Sequence, residues 1–341
     1  MDKITIRQIK DKKEWEEFLA VRPEANFLQS WHWGVFHQSL GKEICRKGFY
    51  SEGRLLGVML SVIENAKRAR YLTVPGGPII DWDNPALTEA FVKEIKIIAR
   101  EENCSFVRVR PQLPSDDRSK NIFRRHGFIN APIHLHAELT SQLDLAGSEE
   151  ELLAGMRKAT RYEIKKANSL GISVSATDEV SAIKDFYNLQ VLTSRRQKFV
   201  PFTRRFLEEQ FKIFSQAKKA LLYSAKIGDQ LLAQAFVIFY GQEAAYHYGA
   251  SAQEGRKYPG AYLIQWEAIK EARKRGMKRY NFWGVAPADQ KRHRFFGVSV
   301  FKRGFGGFDL EYLHAQDLVI NYPRYLINYI VEKARKYLRH V

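Results

Sequence analysis

A chain of 341 residues exceeds one ordinary core of about 150 residues, so two domains are expected. With 45% apolar residues and only 11 prolines the composition excludes long disorder, and two isolated cysteines, Cys45 and Cys104, exclude a disulfide framework or a zinc knuckle. Fifty-five Lys and Arg against 38 Asp and Glu leave a net charge of +17, which suits RNA, nucleotides or anionic lipid as partners, or a basic surface kept for solubility.

Residues 1–13 interleave charges with single apolar residues, so neither a secretory leader nor an anchor is expected there. The longest apolar run, 231–240, falls short of the roughly 20 residues of a membrane helix. Residues 49–59 read as a strand, a turn at Gly53 and a second, apolar strand. An amphipathic helix follows over 85–102, then a strand over 106–109 and the segment 123–128 (Phe-Arg-Arg-His-Gly-Phe). Ser148 with Glu151 forms a capping box that predicts one helix running toward Gly171. That helix sets Arg157, Arg161 and Lys165 four apart on one face, flanked by Lys158 and Lys166, either as a phosphate-binding stripe or as the wet side opposite Leu152, Leu153, Met156 and Ile164. A helix over 182–192 precedes the basic group Arg195-Arg196-Gln197-Lys198-Phe199, where guanidinium forks suit pyrophosphate.

The second half then repeats the plan of the first. Residues 224–235 read as a hairpin, 261–275 as an amphipathic helix, 280–283 as a strand, and 301–305 as the counterpart of 123–128. Arg54 and Gln230 stand 176 positions apart, Ala99 and Ala272 173 apart, as in a tandem duplication. An amphipathic stretch, Tyr322–Arg339, closes the chain and is expected to pack back on the first domain. A hairpin, helix and strand built twice resembles the acyltransferase fold of the GNAT superfamily, and that resemblance implies a mixed α/β (α+β) fold of two tandem duplicated GNAT-like domains, residues 1–142 (with 317–341) and 143–316.

No nucleophile elbow, dinucleotide glycine motif, P-loop or paired-histidine zinc helix is present. His134 and His136 share a strand face without a third ligand nearby, so no metal is expected. In the run 256–262, Arg-Lys-Tyr-Pro-Gly-Ala-Tyr, Pro and Gly before a helix leave N–H groups free for an anion. Coenzyme-A-binding acyltransferases carry a glycine-rich pyrophosphate loop here, and Pro259 replaces its first glycine.

Three runs carry a specific resemblance: Tyr246-His247-Tyr248-Gly249-Ala250-Ser251, the run 259–269 beginning Pro-Gly-Ala-Tyr, and 276–285 containing Tyr280-Asn281-Phe282-Trp283-Gly284. With Phe301-Lys302-Arg303-Gly304-Phe305, residues 28–34 and residues 161–167, they resemble the Fem family of non-ribosomal peptidyltransferases over most of the chain. The resemblance implies transfer of an amino acid from aminoacyl-tRNA, a co-substrate rather than a cofactor, to the stem peptide of a nucleotide- or lipid-linked peptidoglycan precursor. It implies catalytic roles for Lys302, Phe301 and Tyr248, and substrate-binding roles for Arg196, His37, Arg161, Tyr258 and Trp283. The two lone cysteines fit a reducing cytoplasm, and the net charge of +17 adds peripheral contact with an anionic membrane surface as a further expected partner. The sequence departs from the family pattern at His37, where a stronger base is usual, at Asn281, where an acid is usual, and at Arg110-Pro111 in place of an acid-Pro pair. It also lacks the charged helical hairpin of the longer members. Two rivals stay open: a thioester-dependent N-acyltransferase acting on a polysaccharide or amino sugar, and a non-catalytic RNA- or membrane-surface-binding protein.

Overall fold

The computed structural model describes residues 3–197, 199–253 and 257–339. The chain forms two compact units: residues up to Glu138 together with those from Glu311 onward, and Leu139–Leu310.

The first unit holds a sheet of β1 (Thr5–Gln8), β2 (Ile44–Ser51), β3 (Arg54–Asn65), β4 (Arg70–Pro75), β5 (Phe106–Arg110), β6 (Ile129–Asn130) and the chain's last strand, β14 (Gln316–Val319). Its order is β1-β2-β3-β4-β5-β14-β6. The β2–β3 hairpin turns at Glu52 and Gly53, with φ of 48° and 78°, the left-handed pair that matches the twist of the flanking strands. β4 and β5 run parallel, so a crossover is required, and α3 (Pro85–Glu101) supplies it. Asn84 caps α3 by accepting from the N–H groups of Ala86 and Leu87, and Pro85 occupies the first turn, where its missing N–H costs nothing. The buried face of α3, Phe91, Ile95 and Ile98, packs on Leu72, Val74, Val107 and Val109 of the two parallel strands.

The second unit repeats this order. Its strands are β7 (Leu139–Asp144), β8 (Ser173–Thr177), β9 (Ala220–Ile227), β10 (Gln230–Tyr240), β11 (Glu243–Ser251), β12 (Arg279–Gly284) and β13 (Phe308–Glu311). They are arranged β8-β9-β10-β11-β12-β7-β13, with β11 and β12 parallel and joined by α9 (Gly260–Lys274). Leu263, Ile264, Ala268 and Ile269 of α9 cover Val237, Phe239, Tyr280 and Phe282. Helices α7 (Ile183–Gln197) and α8 (Arg204–Gln216) also belong to this unit.

Two boundaries differ from the sequence reading. The sixth strand of each sheet lies antiparallel to the fifth: β14, which follows the second unit in the chain, takes that place in the first sheet, and β7, the first strand of the second unit, takes it in the second. The units therefore divide at Glu138 and Leu310 rather than at Gln142 and Gln316. The helix expected to run unbroken from the capping box toward Gly171 is two helices, α5 (Glu149–Gly155) and α6 (Lys158–Ser169). The capping box is present, but Met156 and Arg157 take extended ψ values of 153° and 145°. Met156 is buried in the core there, and the Arg157 N–H donates to Gly304 O at 3.0 Å instead of continuing the helix.

The terminal helix, α11 (Tyr322–Arg339), is fastened to the first unit by a buried ionic network. Arg108, 1% exposed, makes a bidentate pair with Asp317 (Nε–Oδ1 2.7 Å, Nη2–Oδ2 2.8 Å) and also donates to Glu332 of α11 at 2.8 Å. The Tyr325 hydroxyl donates to Asp317 at 3.0 Å, and its ring meets Phe106 edge-on. Breaking such a pair strands a buried guanidinium. Asp317→Asn is therefore expected to lower unfolding stability by about 3–5 kcal/mol in urea titration, whereas exposed acids elsewhere change it little.

Candidate functional site

The site in the second unit begins where two parallel strands part. β11 and β12 pair only over Glu243–Arg279, Ala244–Tyr280 and Ala245–Asn281, after which no partners are shared. Parallel strands that separate leave backbone groups unpaired and open a wedge in the sheet. Three side chains set its edges. Asn281 donates to Glu243 at 3.2 Å and accepts from the Trp283 N–H at 2.8 Å, so it fixes both strands at the fork. Arg279 also pairs with Glu243 at 2.9 Å, so a carboxylate at 281 would place a second negative charge beside the one that Glu243 already carries. Trp283 sits at φ 64°, a left-handed conformation that is uncommon for a bulky residue, and it re-aims the chain end toward Gly284.

Lys302, in the last turn of α10 (Phe296–Arg303), reaches this fork. Its Nζ donates to Gly284 O at 2.7 Å and lies 5.6 Å from the centre of the Tyr246 ring, with the residue 9% exposed. Burial pushes its ammonium down to about 7, because the charged form loses water and gains no carboxylate in return.

A bulge decides which β11 side chains face which way. Phe236 pairs with Tyr248 and Val237 with Tyr246, so His247 is an extra residue and the two tyrosines point to opposite faces of the sheet. Tyr248, expected to be catalytic, packs among Phe202, Phe236 and His247 on the side of α8, where burial raises its hydroxyl well above the usual range. Tyr246 faces the cavity, its hydroxyl held up to about 12 by burial. A Cβ on Gly249 would meet that hydroxyl at 1.7 Å, so only glycine leaves room for it.

Tyr246 lines a cavity of about 610 Å³ together with Arg196, Gln265, Arg294, Phe301 and Val298. Lys302 does not line this cavity; its Nζ approaches the ring of Tyr246, which does. Arg196 lies in the last turn of α7, which extends past the predicted end at 192, and donates to Ser251 O and Oγ at 3.0 and 3.1 Å. Arg294 stacks on Phe295 at 4.5 Å. Ala261 brings the first turn of α9 to the same cavity, and no side chain caps that helix end. The cavity thus combines an aromatic and aliphatic wall with two guanidinium groups and a helix N-terminus, a set that suits an anionic, extended ligand.

The other expected residues lie elsewhere. His37 belongs to α2 (Trp31–Ser39) in the first unit, buried against Trp33 and Phe36, and burial drives its imidazole down to about 3. Arg161 is committed to the carbonyls of Ala154 and Met156, closing the C-terminal end of α5, and Arg157 to Val300 O. The helical break that created those carbonyls removes the expected phosphate stripe. Tyr258 packs against the core beside α9, and Trp283 meets His247 edge-on at 5.4 Å; neither lines the cavity. Lys198 and Arg256 lie outside the described residues. Arg294 and Tyr246 were missed by sequence reasoning. The basic run 291–294 signalled the first, and nothing short of the bulge signalled the second.

Comparison with known proteins places this geometry. The FemAB family matches residues 11–127, 126–230 and 216–333. The chain is 21% identical over 395 aligned positions to a lipid II:glycine glycyltransferase of Staphylococcus epidermidis, covering 95% of this chain and 94% of that one. It is 22% identical over 412 positions to the aminoacyltransferase FemA of Staphylococcus epidermidis, covering 93% and 99%. Among solved structures, FemX superposes with a TM-score of 0.85 at 18% identity, covering 95% and 99%, and a tandem GNAT protein from the clavulanic acid biosynthesis pathway with 0.59 at 12%, covering 93% and 98%. The duplicated fold is therefore that of tandem GNAT proteins, and the chain belongs to the FemAB family and is an aminoacyltransferase.

Proposed function

We propose that the protein moves an amino acid from aminoacyl-tRNA to an amine on the stem peptide of a peptidoglycan precursor, with a lipid-linked muropeptide as the acceptor class. The observation that carries this reading is the desolvated Lys302 amine at the fork of β11 and β12, 5.6 Å from the ring of Tyr246, which lines a cavity together with two arginines. Family membership and the names of the relatives, one of which is a lipid II:glycine glycyltransferase, support it.

The chemistry asks little of the protein beyond placement and charge. The acceptor amine attacks the ester carbonyl, a C–N bond forms, and the carbonyl oxygen becomes an oxyanion. Collapse breaks the ester C–O bond; the ribose oxygen of the tRNA end leaves and takes up a proton, while the amine gives one up. In this reading the cavity holds the donor end, with Arg196 and Arg294 on its phosphates and Tyr246 and Phe301 against the aminoacyl group. Lys302, as ammonium, stabilises the oxyanion from behind the Tyr246 ring, and low local polarity strengthens that interaction.

One observation keeps a second reading in view. The uncapped start of α9 at the cavity would take the pyrophosphate of a thioester donor as readily as a tRNA phosphate. The two separate in one assay: radiolabelled amino acid on a tRNA pool, or radiolabelled acyl-coenzyme A, offered with nucleotide- and lipid-linked muropeptides, with and without ribonuclease. Ribonuclease-sensitive labelling of muropeptide is expected; labelling from the thioester alone would overturn the reading.

Lys302→Met is expected to reduce turnover by about 100-fold or more while changing tRNA affinity less than about threefold. The same substitution should alter stability in the opposite sense. Because the folded pKa is depressed, wild type carries the full penalty of a buried charge below pH 7. As pH rises from 7 toward 10.5, the folded state sheds its proton before the unfolded state does, and the penalty fades. The variant should therefore be more stable than wild type at pH 6, with the gap closing by pH 10 in thermal melts.

A further inference from the structure

Helix α11 is amphipathic in an unusual sense. Its protein-facing side is the polar one: Tyr325, Asn328, Tyr329 and Glu332 face the first unit, with Glu332 on Arg108 and Tyr325 on Asp317. At 100° per residue, Leu326, Ile327, Ile330, Ala334, Tyr337 and Leu338 share the outward face, within an arc of roughly 120° that holds no charged residue. These side chains are open to solvent: Leu326 is 40% exposed, Ile327 and Ile330 each 58%, Leu338 74% and Tyr337 81%. A contiguous apolar face of this kind marks an interaction surface.

Charge identifies what it meets. Lys333 borders the arc on one side and Arg324 and Arg335 on the other, all exposed, and Lys336 lies further round. The only acid in the helix, Glu332, is already paired with Arg108. A second copy of the chain laid against this face would bring two sets of cations together. A bilayer of anionic phospholipid instead offers acyl chains for the apolar arc and phosphates for both basic borders. No helix among the described residues is long and apolar enough to cross a membrane, so a helix lying in the headgroup layer is the form such contact takes.

We propose that the outward face of α11 docks the protein on an anionic phospholipid surface, with Ile327, Ile330, Tyr337 and Leu338 entering the headgroup–acyl boundary and Arg324, Lys333 and Arg335 on lipid phosphates. The inference stands on the helix and not on the proposed reaction, and its test contains neither donor nor acceptor. Flotation of the full chain with vesicles of phosphatidylcholine alone, or with about 30% phosphatidylglycerol, is expected to show at least about tenfold stronger binding to the anionic vesicles, weakening as salt rises. Ile327→Glu/Ile330→Glu should lose that binding by about tenfold or more with an unchanged melting temperature, and Arg324→Glu/Arg335→Glu should lose only the preference for anionic lipid. Two results would overturn the proposal: wild type that ignores anionic vesicles, or a wild-type dimer by light scattering that Ile327→Glu/Ile330→Glu converts to monomer without any change in vesicle binding.

Discussion

Once β11 and β12 stop pairing beyond Ala245 and Asn281, the second sheet contains an open wedge, and the arrangement of the site follows from what fills it. At the end of β12 the carbonyl of Gly284 accepts a hydrogen bond from Lys302 at 2.7 Å. A lysine recruited for that hydrogen bond must be buried, and a buried lysine without a carboxylate holds its proton only weakly. The same feature that closes the fork thus leaves a cation whose field is poorly screened beside a cavity. A structural need and a chemical opportunity coincide in one side chain.

Duplication explains why such a wedge is available. Both units use the same strand order and the same parallel pair bridged by a buried amphipathic helix, yet they have diverged at the fork. In the first unit β4 and β5 stay paired through Pro75 and Arg110, and Arg110 is used structurally, donating to Ala137 O and stacking on Tyr312. In the second unit pairing ends after three residues and a bulge at His247 turns Tyr246 into the cavity. One copy has kept its sheet closed, whereas the other opens it beside Lys302.

Much of this was legible in the sequence because it rests on local chemistry. The two hairpins announce themselves by glycine between apolar runs; α3 and α9 by their apolar stripes; α5 by its capping box; and α11 by a periodicity that holds from Tyr322 to Arg339. The failures share a different cause. A bulge is one residue inserted in a register that only the partner strand defines, so the sequence does not reveal that Tyr246 and not Tyr248 faces the cavity. The break after Gly155 depends on Gly304, far away in the chain, accepting the Arg157 N–H; without it the capped helix reads as continuous and Arg161 as part of a phosphate stripe. His37 carried a role by position alone, and burial against Trp33 and Phe36 leaves it neutral in the core. β7 at the start of the second unit and β14 in the segment that returns to the first place the limits of the two compact units at Glu138 and Leu310.

The central claim is that the Lys302 ammonium, rather than its neutral amine or its bulk, accelerates amide formation. Single-turnover rates of wild type and of Lys302→Met, measured from pH 5.5 to 9 with one acceptor, test it directly, because taking their ratio cancels the ionisation of the acceptor amine. A ratio that is largest at pH 6 and falls through about 7 is the predicted result. A ratio that stays flat, or that rises through the same range as a neutral base would require, would contradict it.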